Sequence, residues 1–356
     1  MGGALPSPIA LARFYQVFAV VAIITTGVIA IAVRRRMGRR TLQPLGRRWY
    51  SRAYRGLAKG IGALWVMDGL LQAQPLLNTH FISALLAPQV QGQPAPLAFA
   101  IKLGIRVWSL DPVAWNEITV WIQIAIGLMI LLGGSSSWRR IGLWLSLGWG
   151  LMVWIAGEAM GSLFVKGSWL TAGSPGSVLI YMLIAILLLL PSDNWDEQAL
   201  RRLRWGLAAL WGLSALLQLW PTSGWWGKSL SHSVLSMAQT PQPTILSAPL
   251  YAWARLLQSH PVGWNAILVV SFGILGLLWL VWPKSRLTWG LTTLATFLTW
   301  WFGQDFGVLG GMGTDPNSGA VLLWVLFGYA RLTPQASWTW FKSRRSARNP
   351  IRSHAS

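Results

Sequence analysis

The chain has 356 residues, 54% hydrophobic and only 11% charged, with 29 Lys+Arg against 9 Asp+Glu and no cysteine. A soluble protein of this length carries about a quarter charged residues, whereas several runs here of roughly 20 residues lack any charge, enough to cross about 30 Å of hydrocarbon as a helix. A soluble enzyme is thereby excluded, and so are disulfides, iron–sulfur clusters and a thiol nucleophile.

The net charge of +20 invites a nucleic-acid reading, but the basic residues cluster beside apolar runs. That is where the positive-inside rule places them in cytoplasmic loops. No soluble region remains to bind nucleic acid, so the partner implied by the charge is membrane lipid, through its anionic headgroups. The expected fold is an all-α polytopic membrane protein in the cell membrane. About nine spans are expected, an N-terminal anchor followed by two parallel four-helix-bundle repeats.

Residues 8–33 form the first span, which ends at Arg34, Arg35 and Arg36. Charge follows this apolar core rather than preceding it, so the segment reads as an anchor with its N-terminus outside, not as a cleaved signal peptide. An arginine-rich cytoplasmic linker completes region 1–54. The first repeat, 55–200, has spans at about 57–75, 114–133, 140–158 and 175–191. Between the first two lies an outer connection broken by Pro88, Pro94 and Pro96. Its later part, LAFAIKLGIRVWSL, sets Lys102 and Arg106 four residues apart on one face, as in a helix lying along the interface. Asp193 to Arg204 is a charged cytoplasmic linker. The second repeat, 201–335, has spans at about 205–221, 263–282, 287–303 and 318–332, with a long outer loop over 222–262. A basic tail, 336–356, ends the chain in the cytoplasm.

Several matches in the same order establish the repeat. GIGALWVMDGLLQAQP (60–75) returns as LWGLSALLQLWP near 210, DPVAWNEI (111–118) as HPVGWNAI (260–267), and WIAGEAMG (154–161) as WFGQDFG (301–307). Gln93-Pro94 matches Gln242-Pro243, and Arg106 matches Arg255. Four spans per unit is an even number, so both copies enter in one orientation, related by an axis along the membrane normal. Gly157, Gly161, Gly303 and Gly307 follow a small-xxx-small spacing suited to close helix approach.

Ionisable groups inside spans are costly by roughly 2.5–3.5 kcal/mol and so mark functional candidates. Asp68, Glu117 and Glu158 all fall towards the outer face and are the candidate catalytic residues. Arg106, Lys102, Arg255, Trp115 and Asn116 are the candidate substrate-binding set. Two readings stand: the acids relay protons to a bound quinone or hold a polar substrate, or Arg106 neutralises one acid and locks the loop onto the bundle. The second copy has Ser214, Ala266 and Gln304 at the three acidic positions, followed by Asp305, which suggests one working half and one supporting half. Trp115-Asn116 and Trp264-Asn265 follow Pro112 and Pro261 at helix starts, where Trp suits the interface and Asn can cap the first turn. The 26 tryptophans read mainly as interfacial belts and packing, with a few able to stack on a quinone ring. Haem and metal sites are not expected: His80, His232 and His260 fall in outer loops and His354 in the tail, without ligand spacing. No nucleotide-binding or hydrolase motif occurs.

With the start RGLAKGIGALWVMDGL and the outer Gly-Glu of WIAGEAMG, the repeated four-span unit over about 55–332 resembles the DoxX-like and DoxD-like membrane proteins. That resemblance implies a membrane subunit of a redox system that hands electrons to quinone, with another redox subunit on the outer face. The alternatives are a non-enzymatic membrane scaffold and a small-solute transporter.

Overall fold

The computed structural model describes residues 8–9, 12–21, 23–24, 51–134, 137–168, 170, 173–191, 194–240, 242–307 and 313–333. The Arg34–Arg36 stop, most of the basic linker, Asp193 and the basic tail lie outside these residues. Everything regular among the described residues is helical. The helices are α1 (Ala12–Val21), α2 (Arg52–Gln72), α3 (Pro75–His80), α4 (Ala95–Trp108), α5 (Pro112–Leu132), α6 (Ser137–Met152) and α7 (Ser177–Leu189). The chain continues with α8 (Trp195–Leu219), α9 (Ser229–Ala238), α10 (Thr244–Ser259), α11 (Pro261–Val281), α12 (Arg286–Gln304) and α13 (Asn317–Leu332).

Each expected span of the two repeats coincides with one of these helices. Among the described residues, three are long and apolar enough to cross a membrane by length and composition: α5, α11, and α6 with its extension to Gly157. The way α12 faces adds an independent sign of a hydrocarbon surround. Thr288, Thr292 and Thr296, one turn apart, are its fully buried side chains, while Leu287 and Leu294 are 62% and 55% exposed. Polar groups inside and leucine outside is the reverse of a helix packed in water. The buried threonines satisfy their hydroxyls on backbone carbonyls: Thr292 donates to Thr288 O at 2.6 Å and Thr296 to Thr292 O at 2.7 Å within the helix, while Thr288 donates to Trp282 O at 2.8 Å, just after α11.

The internal repeat reappears in the hydrogen bonding. α2 packs on α5, and α8 on α11, as equivalent pairs. In the first, Gln72 Nε2 donates to Asn116 Oδ1 at 2.5 Å and Asn116 Nδ2 to Gln72 O at 3.1 Å. In the second, Gln218 Nε2 donates to Asn265 Oδ1 at 2.5 Å and Asn265 Nδ2 to Gln218 O at 3.3 Å. Asn116 also donates to Asn78 Oδ1 at 2.6 Å. The asparagines are therefore buried clamps between helices, not first-turn caps. The cap of α5 is Asp111, which accepts from the Ala114 amide at 3.0 Å. Asn116→Ala is expected to lower stability by about 1–3 kcal/mol, the cost of leaving buried Gln72 and Asn78 unpaired, read as a fall in melting temperature in lipid nanodiscs. Asn265→Ala should cost less, since among the described residues Asn265 bonds only to Gln218.

The glycine pattern also acquires a different cause. Ala159, Met160 and Gly161 are left-handed, and so are Asp305, Phe306 and Gly307. These runs turn the chain after the α6 extension and after α12. A Cβ on Gly161 or Gly307 would collide with the backbone of Pro175 or Pro316, so these glycines serve a tight turn against the next helix start rather than a helix–helix seam. A close helix contact is made instead at Gly127 of α5, where a Cβ would meet the Gly62 carbonyl and Val66 of α2.

The repeats meet through α2, α7, α8 and α13, whose side chains form one buried cluster around Trp65, Tyr181, Trp211 and Tyr329. α13 packs on α2 and α7 of the first repeat as well as on α12, and Trp324 Nε1 donates to Gly56 O at 3.1 Å. The loop before α13 is thereby carried over the first repeat: Gln74 Nε2 donates to Gly313 O at 3.1 Å. α1 lies against the end of α2, where the Tyr15 hydroxyl donates to Ala73 O at 3.0 Å.

Candidate functional site

Helices α2, α4, α5 and α6 enclose a cavity of about 420 Å³, closed by the start of α7 and the loop before α13. Two π-helical turns help to shape it, Phe81–Leu86 after α3 and Val153–Gly157 at the end of α6. Such turns are rare and recur at functional sites because they bulge a helix wall. The walls are mainly aromatic and aliphatic: Trp65, Trp115 and Trp149 line it, and Trp108 stacks on Phe81 at 4.3 Å. Its ionisable lining residues among those described are Asp68, Glu158 and Asp315, and no lysine or arginine lines it.

Asp68 is 2% exposed on α2. The Tyr181 hydroxyl of α7 donates to its Oδ1 at 3.4 Å, and the Tyr181 ring meets Trp65 edge-on at 5.1 Å. Trp65 is fixed in turn by donating to Ser146 Oγ at 2.8 Å. Glu158 follows the α6 extension and caps α7: its Oε1 accepts from Ser177 Oγ at 2.6 Å and from the Val178 amide at 3.3 Å. Asp315 caps α13 by accepting from the Asn317 amide at 2.6 Å. Helix N-termini favour carboxylates, so both acids have a structural task. Burial opposes the charge: it pushes the Glu158 carboxyl up, with Asp315 adding to the push, and it raises Asp315 too.

The caps leave part of the cavity's polar lining unused. Glu158 Oε2 and Gln123 Oε1 are buried acceptors without a partner among the described residues, and Trp108 Nε1 and Trp149 Nε1 are buried donors in the same state. All four side chains line the cavity. Gln123 is 6% exposed. Native interiors rarely leave such atoms unpaired, so the cavity offers both donors and acceptors to a ligand.

Of the residues expected at the site, the structure brings together Asp68, Glu158 and Trp115. It separates the rest. Glu117 is partly exposed and is not among the residues that line the cavity. Lys102, Arg106 and Arg255 are exposed, and the α4 residues that line the cavity are Ala100, Leu103, Gly104, Val107 and Trp108. Asn116 is engaged by Gln72 and Asn78. Asp305 is tied to the loop between α9 and α10, accepting from Gln242 Nε2 at 2.9 Å and Thr240 Oγ1 at 3.2 Å.

Most lining residues were outside the sequence-based set, among them Gln72, Gln123, Trp108, Trp149 and above all Asp315. Asp315 belongs to the second repeat and reaches the first only because α13 crosses over. The Asp-Pro that begins the last helix was its one local signal.

A second cavity, of about 230 Å³, occupies the equivalent place in repeat two and is lined by Leu230, Val234, Leu268, Leu298, Thr299, Phe302, Gly303 and Trp253. Trp253 and Phe302 stand where Gly104 and Ala156 stand in repeat one, and Leu268 stands for Thr119. Gln304 makes the cap that Glu158 makes, donating to Ser318 Oγ at 2.9 Å and accepting from the Gly319 amide at 3.0 Å. The same frame thus carries a roomy acidic pocket in one copy and a filled apolar one in the other.

Among the described residues no group of three or more His, Cys, Asp or Glu side chains is placed to hold a metal ion. No family model, curated protein or solved structure matches the chain.

Proposed function

We propose that the chain is a multi-pass membrane subunit of a redox system that binds a quinone or quinol in the first-repeat cavity. The reading has nine spans, the N-terminus outside and the tail in the cytoplasm. The observation that carries it is an aromatic-walled cavity with unpartnered buried donors and acceptors and three carboxylates. A flat apolar ring with two oxygens fits those walls, since aromatic faces stack on it and polar atoms hold its oxygens. A quinone bound there would supply two-electron, two-proton chemistry. The chain's own residues would orient the ring between Trp108, Trp115 and Trp149, hold its oxygens through Gln123 and the indole N–H groups, and exchange protons at Asp68 and Glu158. Electrons would pass to or from a redox subunit on the outer face.

Charge favours this over a small anion as ligand, because no lysine or arginine among the described lining residues is there to pair with a buried anion. A scaffold has no use for unpartnered polar atoms around a cavity, and the acids lie at the outer helix ends rather than at the midplane where carriers bind. The resemblance to the DoxX-like proteins points the same way.

The second repeat supplies the test. Gly104→Trp with Ala156→Phe reproduces the filling residues of its counterpart. A short-chain quinone should bind the purified protein in nanodiscs saturably at one site, and the double variant should weaken that binding at least about tenfold. Absence of saturable binding to the native chain, or equal binding by the variant, would sink the proposal.

A further inference from the structure

A crevice separate from the acidic cavity opens between the two repeats, of about 620 Å³. Its walls are Gly60, Ala63 and Met67 of α2, Leu131 and Leu132 at the end of α5, and Trp324 of α13. Lys59 lines it as well and is exposed. Arg52, Arg55 and Lys59 are spaced to share one face of α2, and all three are exposed. Arg331, in the last turn of α13, joins them. Its Nη1 comes within 3.5 Å of the point a Cβ on Gly56 would occupy, and its guanidinium lies over the Phe327 ring at 4.2 Å. None of the four cations forms an ion pair among the described residues.

This end of α2 is the one opposite Asp68, hence the cytoplasmic end in the proposed topology. Lys59 lies two turns into the helix, at a depth where an ammonium must either snorkel out or meet a counter-charge. A phosphate at the headgroup level meets it, with the arginines alongside, and basic pockets between membrane helices on the cytoplasmic side are suited to such headgroups. Below the cations the crevice is apolar, as an acyl chain requires. We propose that this crevice binds one anionic phospholipid, its phosphate among Lys59, Arg55 and Arg331 and one acyl chain along Ala63, Met67 and Leu131. The lipid would then bridge α2 and α5 of the first repeat to α13 of the second. The site rests on the membrane reading and not on the quinone reading, so failure of quinone binding leaves it standing.

The test is a titration of delipidated full-length protein with phosphatidylglycerol and with phosphatidylcholine, read by native mass spectrometry as the occupancy of the first bound lipid. Phosphatidylglycerol should bind at least about tenfold more tightly. Arg55→Gln with Lys59→Gln should reduce that preference to about threefold or less, and Lys59→Arg alone should retain it. Arg140→Gln with Lys284→Gln, which removes the same charge from other inner loops, should leave it unchanged. Should the first pair fail to fold, Ala63→Phe at its exposed position fills the crevice without altering charge and should weaken the first lipid equally. Equal binding of the two lipids would mean an apolar groove only. An equal loss in the control pair would mean diffuse surface attraction. Either outcome overturns the site.

Discussion

Asp68→Asn should cut quinone-coupled electron transfer about a hundredfold to ten-thousandfold, the range for removing a positioned proton-transfer group, while leaving the melting temperature nearly unchanged. The size of the effect follows from position. Asp68 is the most deeply buried of the three acids, lines the cavity wall, and is oriented by a tyrosine that is itself pinned on Trp65. Asparagine keeps the shape and can still accept from Tyr181, but it cannot carry a proton. The second repeat shows that the fold does not need the carboxylate: Ser214 occupies the corresponding place, donating to Leu210 O at 2.7 Å within its own helix. The measurement is quinone reduction by membranes containing the intact redox system, paired with thermal melts and with quinone binding. Loss of turnover with binding retained assigns proton transfer to Asp68. Loss of binding would make it a ligand contact, and unchanged turnover would remove its role altogether.

Much of the architecture was legible because it is written in local terms. Apolar runs, basic loop clusters and the Pro112 and Pro261 helix starts locate the main helices, and the repeated phrases match α2 with α8 and α5 with α11, two pairs joined by the same Gln–Asn bond. The depth of Asp68 in an apolar helix was a sufficient signal for a buried acid. What escaped depends on tertiary placement. Asp315 is polar, in a loop and far along the chain, and nothing near it in sequence shows that α13 leans on α2. Arg106 and Arg255 match across the repeats, a pairing that suits an anchoring arginine, yet both are exposed on the faces of α4 and α10 turned away from the cavities. Gly161 and Gly307 show the same limit. A four-residue glycine spacing is shared by helix seams and by turns, and only the positive φ distinguishes them.

Comparison of the copies also separates the two tasks that Glu158 performs. As a cap for α7 it has a neutral counterpart, since Gln304 caps α13 with the same pair of contacts, a hydroxyl and the next amide. As an ionisable group it has none. A Ser177 hydroxyl bonded to Glu158 also neighbours Asp315, and with one proton to give it satisfies one carboxylate as donor. The other acid is best accommodated protonated, which agrees with the upward push of burial on both.

That arrangement fixes the sign of a pH effect. Both groups lie beyond the outer ends of their helices, in the turn after α6 and the loop before α13. Burial raises Glu158 above its ordinary 4.5 and Asp315 above its ordinary 3.8, and the bonds from Ser177, Val178 and Asn317 only partly offset it. The folded state therefore holds protons that the unfolded chain has released. Their stabilising contribution is complete below the ordinary carboxylate range and is lost as pH rises through the raised values. The melting temperature in nanodiscs should accordingly fall as pH is raised from about 4.5 towards and beyond neutrality. Glu158→Gln should flatten that slope and raise stability at the alkaline end, because glutamine retains the cap, as Gln304 demonstrates, and removes the buried charge. Glu158→Ala should flatten it too but lower stability throughout, by about 0.5–2 kcal/mol for the lost cap. A Gln variant as unstable as the Ala variant, or a slope that survives both substitutions, would show that the pair does not share protons in the folded protein.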